Sequence, residues 1–235
     1  MKALVLAAGL STRIASVSLG TPKPLIEIEG ESILSRNLRW LSRAGIRDVW
    51  INLHYQPDLI RAAIGDGERF CMKIRYIYEP EILGTAGAVK NVSPEWTSPF
   101  LVIYGDNLFR FNLGAFVASH KYIASIALFN RNTHPFTGVA GGQVVLSNDL
   151  IQSFIEGSSE EISPFVNAGA YILDPLILPL IPPQKYDFGK ELFPRILREN
   201  GRLGGHVIDG YCLGIDTPSS YAQALALIKE GKVQL

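Results

Sequence analysis

The sequence predicts an α/β fold in which a doubly wound, mostly parallel sheet is flanked by helices. Short apolar runs alternate with helical patterns along the chain, as they do in such folds. Two of these runs, residues 2–7 and 100–104, lead directly into glycine and polar residues, which is typical of buried parallel strands. The chain has 235 residues, 47% of them apolar, and this suits one large domain with a substantial core.

In the first half, each predicted strand is followed by a loop or a helix. The predicted strands are residues 2–7, 48–53, 73–78 and 100–104. The predicted helices are residues 32–44, 57–64 and about 85–91. Ser32 is a candidate N-cap, Gly45 ends the first helix, and Pro57 suits the first position of the second.

The second half predicts a different succession of elements. The predicted strands are residues 137–146, 165–172 and, with a turn, 206–215. The predicted helices are residues 188–199 and 219–229. Because we find no linker and no internal repeat, we expect a single domain over residues 1–235, with halves at about 1–110 and 111–235.

Charge and composition exclude several classes of function. The 22 basic and 22 acidic residues cancel, so no global field favours nucleic acid or an anionic membrane. The two cysteines are far apart, and the four histidines lack metal-ligand spacing. The N-terminal apolar run is short and predicts a strand, not a signal peptide. We therefore expect a cytoplasmic protein without a membrane span.

Polar residues follow two of the predicted strands, at 8–13 and 105–107. Ligands of doubly wound sheets bind beyond the carboxyl ends of the strands, so both segments belong to a candidate site. Small residues at 7–9 leave backbone N–H groups free for phosphate, while Arg13 and Lys23 supply cations. The pattern is neither G-x-x-x-x-G-K-[ST] nor G-x-G-x-x-G, which excludes the two common phosphate loops.

The run Leu6-Ala7-Ala8-Gly9-Leu10-Ser11-Thr12-Arg13, followed by Pro22-Lys23-Pro24, resembles the signature of the sugar-1-phosphate nucleotidyltransferases. Further blocks are similar to those of the same family, in the same order along the chain. They are residues 84–88, 105–107, 167–173, 187–194 and 210–221. Mannose-1-phosphate and heptose-1-phosphate guanylyltransferases, with related short uridylyltransferases, are the nearest branches. The resemblance implies a Rossmann-like fold with a small additional β-region for the sugar.

The resemblance also implies an activity: transfer of a nucleoside monophosphate from an NTP to a sugar 1-phosphate, with release of pyrophosphate. It implies Mg²⁺ as cofactor, held by Asp106 and Asp216, and direct attack on the α-phosphorus without a general base. The implied catalytic residues are Arg13, Lys23 and Asp106. The implied nucleotide-binding residues are Leu6, Ala8, Gly9, Ser11, Thr12, Arg13, Lys23, Glu79, Gly84, Thr85 and Asp106. The implied sugar-phosphate residues are Gly138, Glu156, Asn167 and Gly169.

Two departures from the family pattern concern the metal and the acceptor. Many relatives read D-I-G-T-P where this chain has Gly214-Ile215-Asp216-Thr217-Pro218, and other branches place the ligand at the position of Asp216. Relatives often have Glu-Lys-Pro where this chain has Glu156-Gly157, so either another cation, such as Lys190 or Arg195, replaces the lysine or the acceptor is unusual.

Glu79 lies in the segment that reads the base in relatives. An ionised carboxylate only accepts hydrogen bonds, and guanine offers two neighbouring donors, so we expect GTP. The open alternatives are a uridylyl- or cytidylyltransferase for another sugar phosphate or a non-sugar phosphate, and a non-catalytic nucleotide-sugar sensor. A related glycosyltransferase would need an Asp-x-Asp motif, which residues 105–108 lack. Whether the chain forms a homo-oligomer stays open.

Overall fold

A computed structural model describes residues 1–139, 141–158 and 160–235 of the chain. Within these residues a central sheet of nine strands carries helices on both faces. Its strands are β1 (Lys2–Leu6), β4 (Asp48–Leu53), β5 (Lys73–Tyr78), β6 (Phe100–Tyr104), β8 (Ala124–Asn130), β9 (Gln143–Ser147), β10 (Leu150–Ile155), β11 (Phe165–Leu173) and β12 (Leu203–Val207). Two small ribbons pair β2 (Glu27–Ile28) with β3 (Glu31–Ser32), and β7 (Asn107–Arg110) with β13 (Tyr211–Gly214).

Most of the α-helices are short, and those of the first half alternate with the strands of the central sheet. The α-helices are α1 (Ala15–Ser18), α2 (Ile33–Arg43), α3 (Pro57–Ile64), α4 (Gly84–Asn91), α5 (Leu113–Ala118), α6 (Phe193–Arg198) and α7 (Pro218–Lys229). Ser32 caps α2 by accepting from the Ser35 N–H, as predicted. No helix in the described ranges is long and apolar enough to cross a membrane.

The sheet is mixed, with the strand order β5-β4-β1-β6-β11-β8-β12-β10-β9. The first four strands are parallel, as predicted for the first half of the chain. The second half departs from a mostly parallel arrangement, because β11 and β10 run against their neighbours. The β9–β10 pair needs only the tight turn at Asn148 and Asp149, whereas a parallel pair would need a long crossover.

The prediction of secondary structure fails in parts of the second half. The sequence predicts a strand over 137–146, but the structure begins it at Gln143, and residue 140 lies outside the described residues. The single strand predicted over 206–215 is two strands, β12 and β13, in different sheets. The helix predicted over 188–199 is confirmed, although it begins with a π-helical turn at Phe188–Leu192 before it continues as α6.

Side chains on the two faces of the sheet form separate cores. Along β1, Ala3 and Val5 point into the core beneath α2 and α3, while Leu4 points to the core beneath α4 and α6. All three residues are fully buried, which explains why the strand is a continuous apolar run. Because β1, β4, β5 and β6 are parallel, they end at one edge of the sheet, and the loops after them form the candidate site.

Candidate active site at the carboxyl edge of the sheet

The loop after β1 lines the first of three adjoining cavities at this edge, which we call the loop cavity. Its backbone is held by side chains: Asn52 accepts a hydrogen bond from the Ala7 N–H at 2.8 Å, and Ser11 Oγ accepts from the Lys23 N–H at 2.7 Å. Its lining residues are Leu6, Ala7, Gly9, Leu10, Ser11, Thr12, Arg13, Ile14, Lys23, Pro24, Asp106 and Asp216. Lys23 and the signature residues at 6–13 other than Ala8 thus surround one cavity, with the predicted metal ligands at its wall, while Ala8 lines the neighbouring cavity that contains Glu79.

Lys23 lies at the centre of the charged residues. It is 6% exposed, and its Nζ donates to Asp106 Oδ2 at 2.7 Å and also to Asp216 Oδ1. Burial alone would lower the pKa of Lys23, but the two carboxylates outweigh it, so its pKa is raised. Lys23 is therefore an ammonium ion shared by two carboxylates.

Asp106 and Asp216 come from opposite ends of the sequence. Asp106 follows β6, and Asp216 follows β13, which pairs with β7 so that Gly214 lies beside Asn107. Their oxygens converge on one ammonium nitrogen, and Arg13 Nη2 lies 3.5 Å from Asp216 Oδ1. Asp216 does not cap α7, because its neighbour Thr217 is the N-cap and accepts from the Ser220 N–H.

Two converging carboxylates suit a hard divalent cation such as Mg²⁺, which binds oxygen ligands and keeps several waters. In the described ranges no group of three or more His, Cys, Asp or Glu residues is arranged to hold a metal. The remaining ligands would therefore come from phosphate oxygens and water. The position that Lys23 Nζ takes between the two carboxylates shows that this pair accepts a cation.

The second cavity lies beside the loop and contains Glu79, so we call it the Glu79 cavity. Its lining residues are Leu6, Ala8, Gly9, Asn52, Glu79, Ile82, Gly84, Thr85, Tyr104, Asp106 and Asp187. Glu79 is 1% exposed, and its carboxylate accepts from Asn52 Nδ2 at 2.8 Å and from the Leu83 N–H at 3.1 Å. Glu79 is thus a buried carboxylate held by two hydrogen bonds, and not a loop residue exposed to solvent.

The segment after Glu79 is shaped by close backbone contact. Gly84 has φ +76°, and a Cβ there would lie 2.6 Å from the Tyr186 carbonyl oxygen. The Tyr186 carbonyl accepts from the N–H groups of Ala86 and Gly87. Thr85 donates to Asp187 through both its N–H and its hydroxyl, at 3.2 Å each. The segment 184–188 therefore closes the Glu79 cavity.

The third cavity, of about 290 Å³, contains Glu156, and we call it the Glu156 cavity. Its lining residues are Arg13, Tyr104, Asp106, Asn107, Phe129, Phe136, Thr137, Val139, Gly141, Gly142, Glu156, Asn167, Gly169, Cys212, Gly214 and Asp216. Of the four residues predicted for the sugar phosphate, the structure brings Glu156, Asn167 and Gly169 together here. Gly138 lies between two lining residues, Thr137 and Val139, without lining the cavity itself.

Glycines hold Glu156 in place. A Cβ on Gly142 or on Gly189 would lie 2.5 Å from Glu156 Oε2. The pKa of Glu156 is raised, chiefly by the loss of solvation around its carboxylate and also by Asp187, with Lys190 opposing the shift. The two glycines therefore leave just enough room for this carboxylate at the cavity wall.

We expect Gly142→Ala to push the side chains of both Glu156 and Phe154 out of position. The new methyl group would destabilise the fold by about 1–3 kcal/mol, the usual result of overpacking, and should raise the KM for the cavity's ligand more than the KM for nucleotide. Gly114→Ala is a matched control in α5, where the nearest atom to the added Cβ is 3.4 Å away. Equal KM values in Gly142→Ala and the unmodified protein would show that Glu156 does not bind the ligand.

The proposed replacements for the missing lysine do not line the Glu156 cavity. Arg195 binds Glu199 at 2.9 Å and the Leu180 carbonyl, and Lys190 lies near Glu156 but outside the lining set. The cation that does line it is Arg13, which also lines the loop cavity. Gly157 has φ +75°, a backbone conformation in which a lysine side chain would be strained.

The sequence analysis does not identify some of the residues that line the cavities. Tyr104 lines both the Glu79 and the Glu156 cavities, and its hydroxyl accepts from the Tyr171 hydroxyl at 3.1 Å. Asn52 and Asp187 also line the Glu79 cavity. Tyr104 and Asn52 lie in the last two residues of a strand, and this position at the sheet edge is the signal that could identify them.

Sequence comparison finds curated proteins that are similar to most of this chain. "Mannose-1-phosphate guanyltransferase" of Schizosaccharomyces pombe is 29% identical over 97% of this chain and 64% of its own length. "UTP--glucose-1-phosphate uridylyltransferase" of Synechocystis is 32% identical over 84% of this chain and 55% of its own length. The chain thus spans less than two thirds of the length of these curated relatives.

Solved structures match over nearly all of both chains. The crystal structure of HddC from Yersinia pseudotuberculosis has a TM-score of 0.81 at 26% identity, covering 97% of this chain and 99% of that one. A second structure of HddC, complexed with GMP-PN, has a TM-score of 0.80. The family model described as nucleotidyl transferase matches residues 2–231, and the chain therefore belongs to the nucleotidyl transferase family.

Proposed function

We propose that this protein is a sugar-1-phosphate nucleotidyltransferase that uses GTP and a mannose- or heptose-type 1-phosphate. The observation that carries the proposal is the convergence of Lys23, Asp106 and Asp216 where three cavities meet. Asp106 lines all three cavities, and Asp216 lines two of them. A nucleotide phosphorus placed there would have the rest of the nucleotide on one side and the acceptor on the other.

The reaction needs positioning and charge stabilisation rather than proton transfer. An acceptor phosphate oxygen is already ionised, so it can attack the α-phosphorus directly while pyrophosphate leaves. We assign Lys23 to the α-phosphate and the attacking oxygen, because it is buried and charged at the junction. Arg13, with 72% of its side chain exposed, is assigned to the outgoing phosphates and, through the Glu156 cavity, to the acceptor phosphate.

Asp106 and Asp216 would hold Mg²⁺, and the bound ion would offset the negative charge of the triphosphate. Lys23 must then leave the position between these carboxylates and turn toward phosphate. The chain thereby divides by role: residues 1–110 supply most of the nucleotide site, and residues 111–235 supply the acceptor site. The division has exceptions in both directions. Asp187 and Asp216 reach the nucleotide side from the second half, and the Glu156 cavity is also lined by first-half residues, namely Arg13, Tyr104, Asp106 and Asn107.

The guanine assignment rests on the buried carboxylate of Glu79. We expect Glu79→Gln to erode the preference for GTP over UTP by about 1–3 kcal/mol, because an amide mispairs with the guanine donors. The values of kcat/KM for GTP, UTP, CTP and dTTP measure this. A variant with unaltered ratios would remove Glu79 from base recognition.

A uridylyltransferase is the second candidate, since a relative named for UTP and glucose 1-phosphate is 32% identical to this chain. If the unmodified protein uses UTP or CTP as well as GTP, the guanylyl assignment fails while the nucleotidyltransferase assignment stands. The nucleoside triphosphate that supports turnover decides between the two.

The proposed activity is tested by its products. Purified protein with Mg²⁺, GTP and mannose 1-phosphate should release pyrophosphate and form GDP-mannose in equal amounts, measured by enzymatic pyrophosphate assay and mass spectrometry. The control without sugar phosphate should release none, which excludes hydrolysis. Nucleotide binding without product from any sugar phosphate would indicate a sensor instead.

A further inference from the structure

The carboxylate of Glu79 is buried without an ionic partner. No Lys, Arg or His side chain in the described ranges forms an ion pair with it. Its two oxygens each accept one neutral hydrogen bond, Oε1 from Asn52 Nδ2 and Oε2 from the Leu83 N–H. A buried carboxylate is costly unless further donors reach it. We therefore expect N–H groups of a ligand in the Glu79 cavity to donate further hydrogen bonds to this carboxylate.

The orientation of Asn52 is fixed by the backbone. Asn52 is 3% exposed, and its Oδ1 accepts from the Ala7 N–H at 2.8 Å. A backbone N–H can only donate, so the side-chain oxygen must face Ala7 and the amide nitrogen must face Glu79. One amide hydrogen of Asn52 goes to Glu79. The other has no acceptor in the described part of the chain.

Asn52 and Glu79 together present an ordered set of groups to the cavity they both line. The set consists of one N–H donor beside two carboxylate oxygens, each with a lone pair to spare. Guanine offers the complement in the same order, its O6 acceptor followed by its ring N–H and its exocyclic amine. Uracil and thymine place an acceptor on each side of a single donor. Cytosine and adenine lack the adjacent pair of donors.

We infer that Asn52 is a specificity-determining residue, which orients Glu79 and donates its second amide hydrogen to the O6 of guanine. The inference rests on the proposed function, since it assumes that the Glu79 cavity takes the base. It also explains why one side chain contacts both Glu79 and Ala7: the same amide fixes the base-reading carboxylate and the start of the phosphate loop.

The test measures binding rather than turnover. The Asn52→Asp variant has a side chain of the same size, and one of its oxygens can still accept the hydrogen bond from the Ala7 N–H. Its other oxygen takes the place of the N–H donor and faces Glu79. We expect the Kd of GDP with Mg²⁺ to rise ~100-fold, and the Kd values of UDP and inorganic tripolyphosphate to rise less than ~3-fold. Isothermal titration calorimetry measures all three.

Two adjacent carboxylates can also impair folding, so a second variant is needed. The double variant Asn52→Asp with Glu79→Gln exchanges the acid and the amide, and it retains one charge and one hydrogen bond between them. We expect its Tm to recover toward that of the unmodified protein while the preference for GDP over UDP stays lost. A double variant that still prefers GDP would overturn the inference.

The control is another buried amide outside the three cavities. Asn37 is fully buried, and its Nδ2 donates to the Asn107 carbonyl. We expect Asn37→Asp to lower Tm without changing the ratio of GDP to UDP affinity. If Asn52→Asp behaves in the same way, its role is structural and the inference is wrong.

The outcomes separate this inference from the proposed function. If the unmodified protein binds no nucleotide, the proposed function fails. If it binds GDP and UDP equally, the guanine assignment and the inference fail together. If it prefers GDP and Asn52→Asp preserves that preference, only the inference about Asn52 fails.

Discussion

Asp106→Ala is expected to lower kcat by ~100-fold or more with Mg²⁺ present. Asp106 lines all three cavities and is the proposed Mg²⁺ ligand beside the reacting phosphate, so its loss should cost several kcal/mol of transition-state stabilisation. Steady-state kinetics at saturating substrates, with circular dichroism to confirm folding, measure the effect. Asp149→Ala is the matched control, because that carboxylate pairs with Lys121 on the surface and should change kcat little.

Asp216→Ala should be nearly as severe, because the same ammonium group binds both carboxylates. If only Asp106 proves necessary, the cation is held by one carboxylate and Asp216 serves to position Lys23 and Arg13. Near-normal turnover in a folded Asp106→Ala variant would contradict the assignment of this site.

Lys23→Ala is expected to lower kcat by ~100-fold or more while changing the KM for nucleotide by less than ~5-fold. The charge of Lys23 is assigned to the reacting phosphate, where negative charge shifts in the transition state, so its loss falls on the rate rather than on binding. Arg13→Ala should affect both constants, because its exposed side chain faces the loop and Glu156 cavities in the ground state. An effect of Lys23→Ala confined to KM would contradict its role.

A second measurement on Lys23→Ala tests whether the Lys23 ammonium group compensates the charges of the two carboxylates between which it lies. Without the ammonium group, Asp106 and Asp216 face each other uncompensated. We therefore expect a lower Tm in a chelator and a larger rise in Tm on adding Mg²⁺ than in the unmodified protein. Lys121→Ala, which removes a surface ammonium, should show neither effect.

The first half of the fold is predictable because its signals are local. The strands predicted at 48–53, 73–78 and 100–104 match β4, β5 and β6, and each is bounded by turn or helix signals. The central strand β8 is missed, since its short apolar run does not distinguish strand from helix. Strand β10 is also missed, because the register shifts between Ile151 and Ser153, and this shift obscures the alternation of side chains between the two faces of the sheet.

Without the family resemblance, the site is predictable only where neighbouring strands end. The meeting of the loop after β1 with Asp106 follows from parallel strands that share an edge, and the structure brings the two together. The approach of Asp216 depends on the pairing of β13 with β7, across about a hundred residues of intervening chain, which local patterns do not encode. The same holds for Asp187, which reaches the Glu79 cavity through the packing of 184–188 on α4.

The most direct test of the account is a matrix of GTP, UTP, CTP and dTTP against mannose, glucose and heptose 1-phosphates, read by pyrophosphate release with Mg²⁺. The account predicts release that depends on both substrates, is highest with GTP and a mannose- or heptose-type 1-phosphate, and is abolished by Asp106→Ala. Release independent of the sugar phosphate, or none from any pair by folded protein that binds nucleotide, would contradict it.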